Sequence, residues 1–198
     1  MEAGNTKDHW GAVQQGFHWL IAPLVIAQLI VGFWFATLGP DDPSRGTVFG
    51  VHTSLGLTLL VLMLARLAWR LSQPVPELPN TLSPVQKRLA HATHWLFYIL
   101  VIGMPLGAYI AVNAHGNTVP FYGLDLPRIV GKNEGLSAFI MALHVAGAFT
   151  LTALAALHVA AALRHEFILK DNTLRRMTPL PSRRDATAPA SPAGRRAR

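Results

Sequence analysis

Four long segments of this chain contain no Asp, Glu, Lys or Arg: Phe17–Leu38, Gly46–Ala65, Leu89–Leu124 and Gly135–Leu163. A helix needs about 20 mostly apolar residues to cross the hydrocarbon layer of a bilayer. Backbone in that layer must satisfy its own hydrogen bonds, which a helix does. The pattern predicts an all-α integral membrane four-helix bundle, with spans at about residues 17–38, 46–69, 89–113 and 136–163. Charged residues are only 14% of the chain, against roughly 25% in an ordinary soluble domain. That proportion argues against a soluble globule, and the apolar content excludes a disordered chain. The first segment lacks the basic lead and small-residue cleavage site of a signal peptide.

The connections agree with this division. Leu38-Gly39-Pro40-Asp41-Asp42-Pro43 stops the first segment, and Gln73–Asn80 is a proline-rich hinge. Ser83-Pro84-Val85-Gln86 reads as a helix start. Residues Ala114–Glu134 read as a longer loop. The domain then covers residues 10–179, and 180–198 reads as a disordered basic tail. The net charge is +7, and 14 of the 17 Lys and Arg lie before the first span, around the second connection or after the fourth span. Arg45, Arg128 and Lys132 are the remainder. Cytoplasmic loops carry the basic excess, so both termini are expected in the cytoplasm. The basic balance is thus membrane topology, and no nucleic acid is expected as a partner.

With no cysteine in the chain, disulfides, Cys-based zinc sites, Cys-ligated iron–sulfur clusters and thiol catalysis are excluded. Six of the nine histidines, His18, His52, His91, His94, His144 and His158, lie in or at the ends of the apolar spans. Ionisable groups there are costly and are functional candidates. His144 and His158 are 14 residues apart, which puts them within about 40° of azimuth and about 21 Å apart along one helix. By depth, His18 matches His158 and His52 matches His144. Two histidine pairs stacked across the bilayer follow. No Asp or Glu lies within the spans to complete a four-ligand zinc site. Heme iron needs only two axial ligands, and helical bundles build such sites between facing helices. Two six-coordinate hemes suit one-electron transfer. Arg66 lies 14 residues after His52 on the same helix face; Arg66 or Arg70 either pairs with a propionate of the inner heme or snorkels at the span end. His91 and His94, beside Trp95, are an interfacial pair, alternative ligands, or a proton relay or quinone contact. His165 lines a quinone pocket or faces headgroups.

Several stretches together resemble the bacterial cytochrome b561 family: Phe17-His18-Trp19-Leu20, Val51-His52-Thr53-Ser54-Leu55-Gly56, Leu59–Arg66, Leu89–His94, Leu143-His144, Leu157–Ala162 and Lys170–Met177. The resemblance implies a multi-pass protein of the bacterial inner membrane with two heme b groups. It implies His18 and His158 as axial iron ligands of the inner heme, and His52 and His144 of the outer one. It also implies exchange of electrons with ubiquinone, with superoxide oxidised at the outer face, or electron transfer as a subunit of a larger dehydrogenase or hydrogenase complex taking electrons from a redox partner protein. A heme-free transporter or proton channel is the third expectation from the residues alone. The oligomeric state is not legible.

Overall fold

A computed structural model describes residues 2–6, 9–78, 82–171 and 173–178; the tail expected at 180–198 lies outside the described residues. Four helices dominate: α1 (Ala12–Thr37), α2 (Arg45–Leu71), α3 (Pro84–His115) and α4 (Glu134–Leu163). Each is long and apolar enough to cross a membrane. A short hairpin, β1 (Val119–Phe121) and β2 (Leu124–Leu126), separates α3 from α4. A π-helical turn (Arg164–Leu169) and a 3-10 turn (Arg175–Met177) follow α4.

Local chemistry sets the helix ends. Ser83 and Gln86 form a reciprocal capping box at the start of α3, where the sequence placed it: Ser83 N donates to Gln86 Oε1 at 2.8 Å and Gln86 N to Ser83 Oγ at 3.3 Å. Gly116 ends α3 in the left-handed conformation, φ +105°. Asn133 caps α4 by accepting from Leu136 N at 2.9 Å. Pro105 lies inside continuous α3 and Pro23 inside α1.

The helices pack α1 on α2, α2 on α3 and α3 on α4. Their shared core is Ile21, Val25, Leu59, Met63, Tyr98, Val101 and Leu151. Large apolar side chains also cover the outside: Ile30, Phe149 and Leu157 are among those most exposed. A soluble protein rarely shows so continuous an apolar surface; in a bilayer it is the lipid-facing surface. The loop Ala114–Glu134 is more ordered than the sequence indicated, because of the hairpin within it.

The up-and-down order puts the start of α1 and the end of α4 at one end of the bundle, here the terminal end; the opposite end is the loop end. At the terminal end, Asn5 Nδ2 donates to Pro74 O at 3.0 Å. The segment after α4 runs back as a strap. Trp19 Nε1 donates to Met177 O at 2.6 Å and Arg176 to Glu77 O at 2.7 Å. Two polar contacts shape the strap: His165 Nδ1 with Asp171 Oδ2 at 2.6 Å and the Glu166–Arg175 ion pair at 3.1 Å.

Candidate functional site: two stacked histidine pairs

The bundle brings the spaced histidines together in two places. His18 (α1) and His158 (α4) have ring centroids 6.3 Å apart, at the terminal end. His52 (α2) and His144 (α4) have centroids 6.1 Å apart, at the loop end. In both pairs the planes are steeply inclined, at 69° and 74°. All four rings are half-buried. Leu151, midway between His144 and His158 on α4, belongs to the apolar core that separates the pairs.

Each pair has its own surroundings. At the loop end, His52 sits against Gly32: a Cβ there would stand 2.8 Å from His52 Cε1. Gln28, one turn earlier on α1, donates to His52 O at 3.1 Å, and its amide nitrogen stands 3.3 Å from His52 Nε2. The Gln28 amide in turn occupies the space over Gly56, where a Cβ would stand 3.1 Å away. His52 and Gln28 thus each fill a notch above a glycine of the other helix. Neither Gln28 nor the two glycines stood out in the sequence; a polar residue deep in an apolar span was the signal available for Gln28. A cavity of about 480 Å³ is lined by both His52 and His144, within the roughly 300–1,000 Å³ of small-molecule and cofactor pockets.

At the terminal end a third imidazole joins. His94 (α3) lies 6.2 Å from His158, centroid to centroid. His91, one turn away, is exposed, so the structure separates two residues that the sequence grouped. Trp19 touches His18, ring centroids 5.2 Å apart, and its indole holds the strap. His165 is half-buried in the strap, paired to Asp171. Arg66 and Arg70 both lie over the ring of Tyr98, at 5.3 and 5.8 Å, and Arg70 also faces Trp10 at 5.7 Å. Arg70 is buried, and neither arginine pairs with a carboxylate among the described residues. Both polar atoms of fully buried Gln14 have no hydrogen-bond partner among the described residues. The sequence flagged the arginines but not Gln14 or Tyr98.

A membrane-spanning four-helix bundle with an imidazole pair toward each end has the form of a helical membrane electron carrier. The family model for prokaryotic cytochrome b561 matches residues 9–180. Cytochrome b561 homolog 2 of Escherichia coli K12 is 31% identical over 178 residues, covering 89% of this chain and 95% of the relative. Probable superoxide oxidase CybB of Yersinia pestis is 33% identical over 174 residues, covering 86% and 96%. Cytochrome b562 of Cereibacter sphaeroides is 30% identical over 169 residues, covering 83% and 92%. The chain belongs to the prokaryotic cytochrome b561 family, membrane electron-transfer proteins, and is a multi-pass protein of the bacterial inner membrane.

Family membership implies heme b, and the residues present fit it. With metal–nitrogen bonds of about 2 Å, two imidazoles bound end-on to one metal hold their centroids roughly 6 Å apart. Both pairs are at that separation. His52 Nδ1 is buried without a hydrogen-bond partner among the described residues. Arg66, beside the terminal-end pair and without a carboxylate partner among the described residues, is suited to a carboxylate.

Proposed function

We propose that this protein carries electrons across the bacterial inner membrane through two b hemes, one held by His18 and His158 and one by His52 and His144. The observation that supports this most is the pair of 6.3 and 6.1 Å imidazole separations, stacked along α4. A heme held at each pair by its two imidazoles would supply a one-electron iron couple. In this reading the terminal end is cytoplasmic, following the Lys and Arg distribution. Arg66, with Arg70 beside it, pairs with a propionate of the inner heme. The electron acceptor or donor at the inner side is ubiquinone. His94 and His165, with exposed His91 at the edge, are the imidazoles on the inner side that hold the quinone or pass protons to it.

For the outer donor, superoxide is the first candidate, because a relative bears the name probable superoxide oxidase. A redox partner protein, with this chain as a subunit of a larger complex, is the second reading, and one observation favours it. Arg45, Arg128 and Lys132 at the loop end face Asp41, Asp42, Asp125 and Glu134, a formal net charge of −1. Lys132 is moreover paired with Glu134 at 3.0 Å. Such a surface does not gather an anion by long-range steering.

A dithionite-reduced minus oxidised spectrum, with heme counted per chain, tests the core of the proposal. Two b hemes per chain are expected. A heme-free protein after expression with ample heme supply overturns it and returns the histidines to a proton or substrate path. Superoxide-dependent quinone reduction by the protein alone then separates the two donors.

A further inference from the structure

The connection between α3 and α4 does not project away from the bundle at the loop end. Its hairpin register pairs Val119 with Leu126 and Phe121 with Leu124, leaving Tyr122-Gly123 as a two-residue turn. Both turn residues have positive φ, +47° and +87°, which is the type I′ geometry of tight hairpins. The turn lies along α2. Tyr122 N donates to Ser54 Oγ at 2.9 Å, and Tyr122 OH meets Thr58 Oγ1 at 2.9 Å. Thr58 is the middle residue of α2 (Arg45–Leu71). Ser54 is four residues, or about 6 Å, from that middle. The hydrocarbon layer reaches about 15 Å either side of its centre. A span centred on α2 therefore contains the turn.

Backbone at that depth must find partners within the protein, and here the helices supply them. Thr53 Oγ1 donates to Pro120 O at 2.6 Å, and Tyr109 OH to Pro127 O at 2.6 Å. Ile129 N donates to Asn113 Oδ1 at 2.9 Å. Ser54 and Asn113 are themselves buried, so these polar groups within apolar helices are spent on the loop. At the turn the side facing away from the bundle is apolar, with Tyr122 68% exposed and Leu124 67%; further from the tip, exposed Asp125 accepts from Thr118 Oγ1 at 3.1 Å. No charged residue occurs from Gly116 to Leu124.

We propose that the tip of the β1–β2 hairpin is a re-entrant element seated in the hydrocarbon layer, with Tyr122 and Leu124 presented to lipid acyl chains and Asp125 directed back toward the water at the loop end. Val119, at its base, lines the His52–His144 cavity. The hairpin is thus the wall between that cavity and the lipid on the α2–α3 side. The inference rests on the membrane-spanning fold and is independent of what the cavity holds.

The absence of cysteine allows clean single-site labelling. The full-length protein carrying Leu124→Cys, and separately Asp41→Cys as a water-phase control, is nitroxide-labelled and reconstituted in phosphatidylcholine vesicles. Collision with dioxygen, which concentrates in lipid, is compared with collision with a neutral nickel chelate, which stays in water. The dioxygen-to-nickel ratio at residue 124 is expected to exceed that at residue 41 several-fold. Equal ratios overturn the proposal. Tyr122→Cys serves as the second site if Leu124→Cys does not assemble, with the same two outcomes.

Discussion

Gly32 of α1 lies under the His52 ring so closely that a Cβ on it would stand 2.8 Å from His52 Cε1 and 3.2 Å from Nδ1. The ring is stiff and belongs to the site, so it must move if a methyl group is added. Gly32→Ala is expected to halve the heme-to-chain ratio by losing the outer heme, with the inner one retained. Gly56→Ala is the control: its Cβ would meet the end of the flexible Gln28 amide at 3.1 Å, and the ratio should stay near that of the parent. Pyridine hemochrome assay of both purified variants checks this, and equal heme loss in the two would remove the notch explanation.

The two pairs are separable by single substitutions. His52→Ala should leave one heme per chain, held by His18 and His158. His18→Ala should leave one held by His52 and His144. His94→Ala tests the third imidazole, 6.2 Å from His158: the heme count should be unchanged while the rate of quinone reduction falls. A lost heme in His94→Ala would instead make His94 the partner of His158. Redox titration with heme quantification reads all three.

Arg66→Gln removes a positive charge beside the terminal-end pair. A nearby cation favours the reduced, more negative form of a redox centre, so the inner potential should fall. The expected change is some tens of millivolts, where about 59 mV corresponds to a factor of ten for one electron. The outer potential should not move. A two-component potentiometric titration decides, and a shift confined to the outer component would contradict the assignment.

The strap depends on Asp171. Burial alone would raise its carboxyl, but hydrogen bonding by Thr173 and His165 holds it below the ordinary carboxylate value of 3.8. A depressed acid contributes its ordering above the unfolded value and loses it as pH falls through the folded one. The strap should therefore stay closed above about pH 4 and loosen only in stronger acid. Asp171→Asn should loosen it at neutral pH. Faster cleavage after Arg175 or Arg176 by trypsin would show this; unchanged cleavage would mean that the other contacts, among them those of Trp19, Glu77 and Glu166, hold the strap without it.

The four helices and the two histidine pairs were legible because each rests on one long periodicity. Uncharged runs mark the spans, and the 14-residue interval between His144 and His158 fixes two rungs on one helix face. What was not legible depends on contacts between helices. Nothing local distinguishes Gly32, which carries a histidine ring, from Gly50, which has open space around it. Tyr98 joins Arg66 and Arg70 only through the packing of α2 and α3. The hairpin escaped because its strands are three residues each, too short to show alternation, and its turn is Tyr-Gly rather than the usual Asn-Gly.

The distance between His144 and His158 also has an electrical meaning. Fourteen residues of α4 are about 21 Å of a hydrocarbon layer about 30 Å thick. An electron passed from the loop-end pair to the terminal-end pair therefore crosses about two-thirds of the membrane field. At about 2.3 kcal/mol per charge per 100 mV, that is roughly 1.6 kcal/mol of work for each 100 mV. If the proposed reading holds, with a heme at each pair and the terminal end on the negative side, an inward electron moves against the membrane voltage, and an energised membrane would slow that transfer.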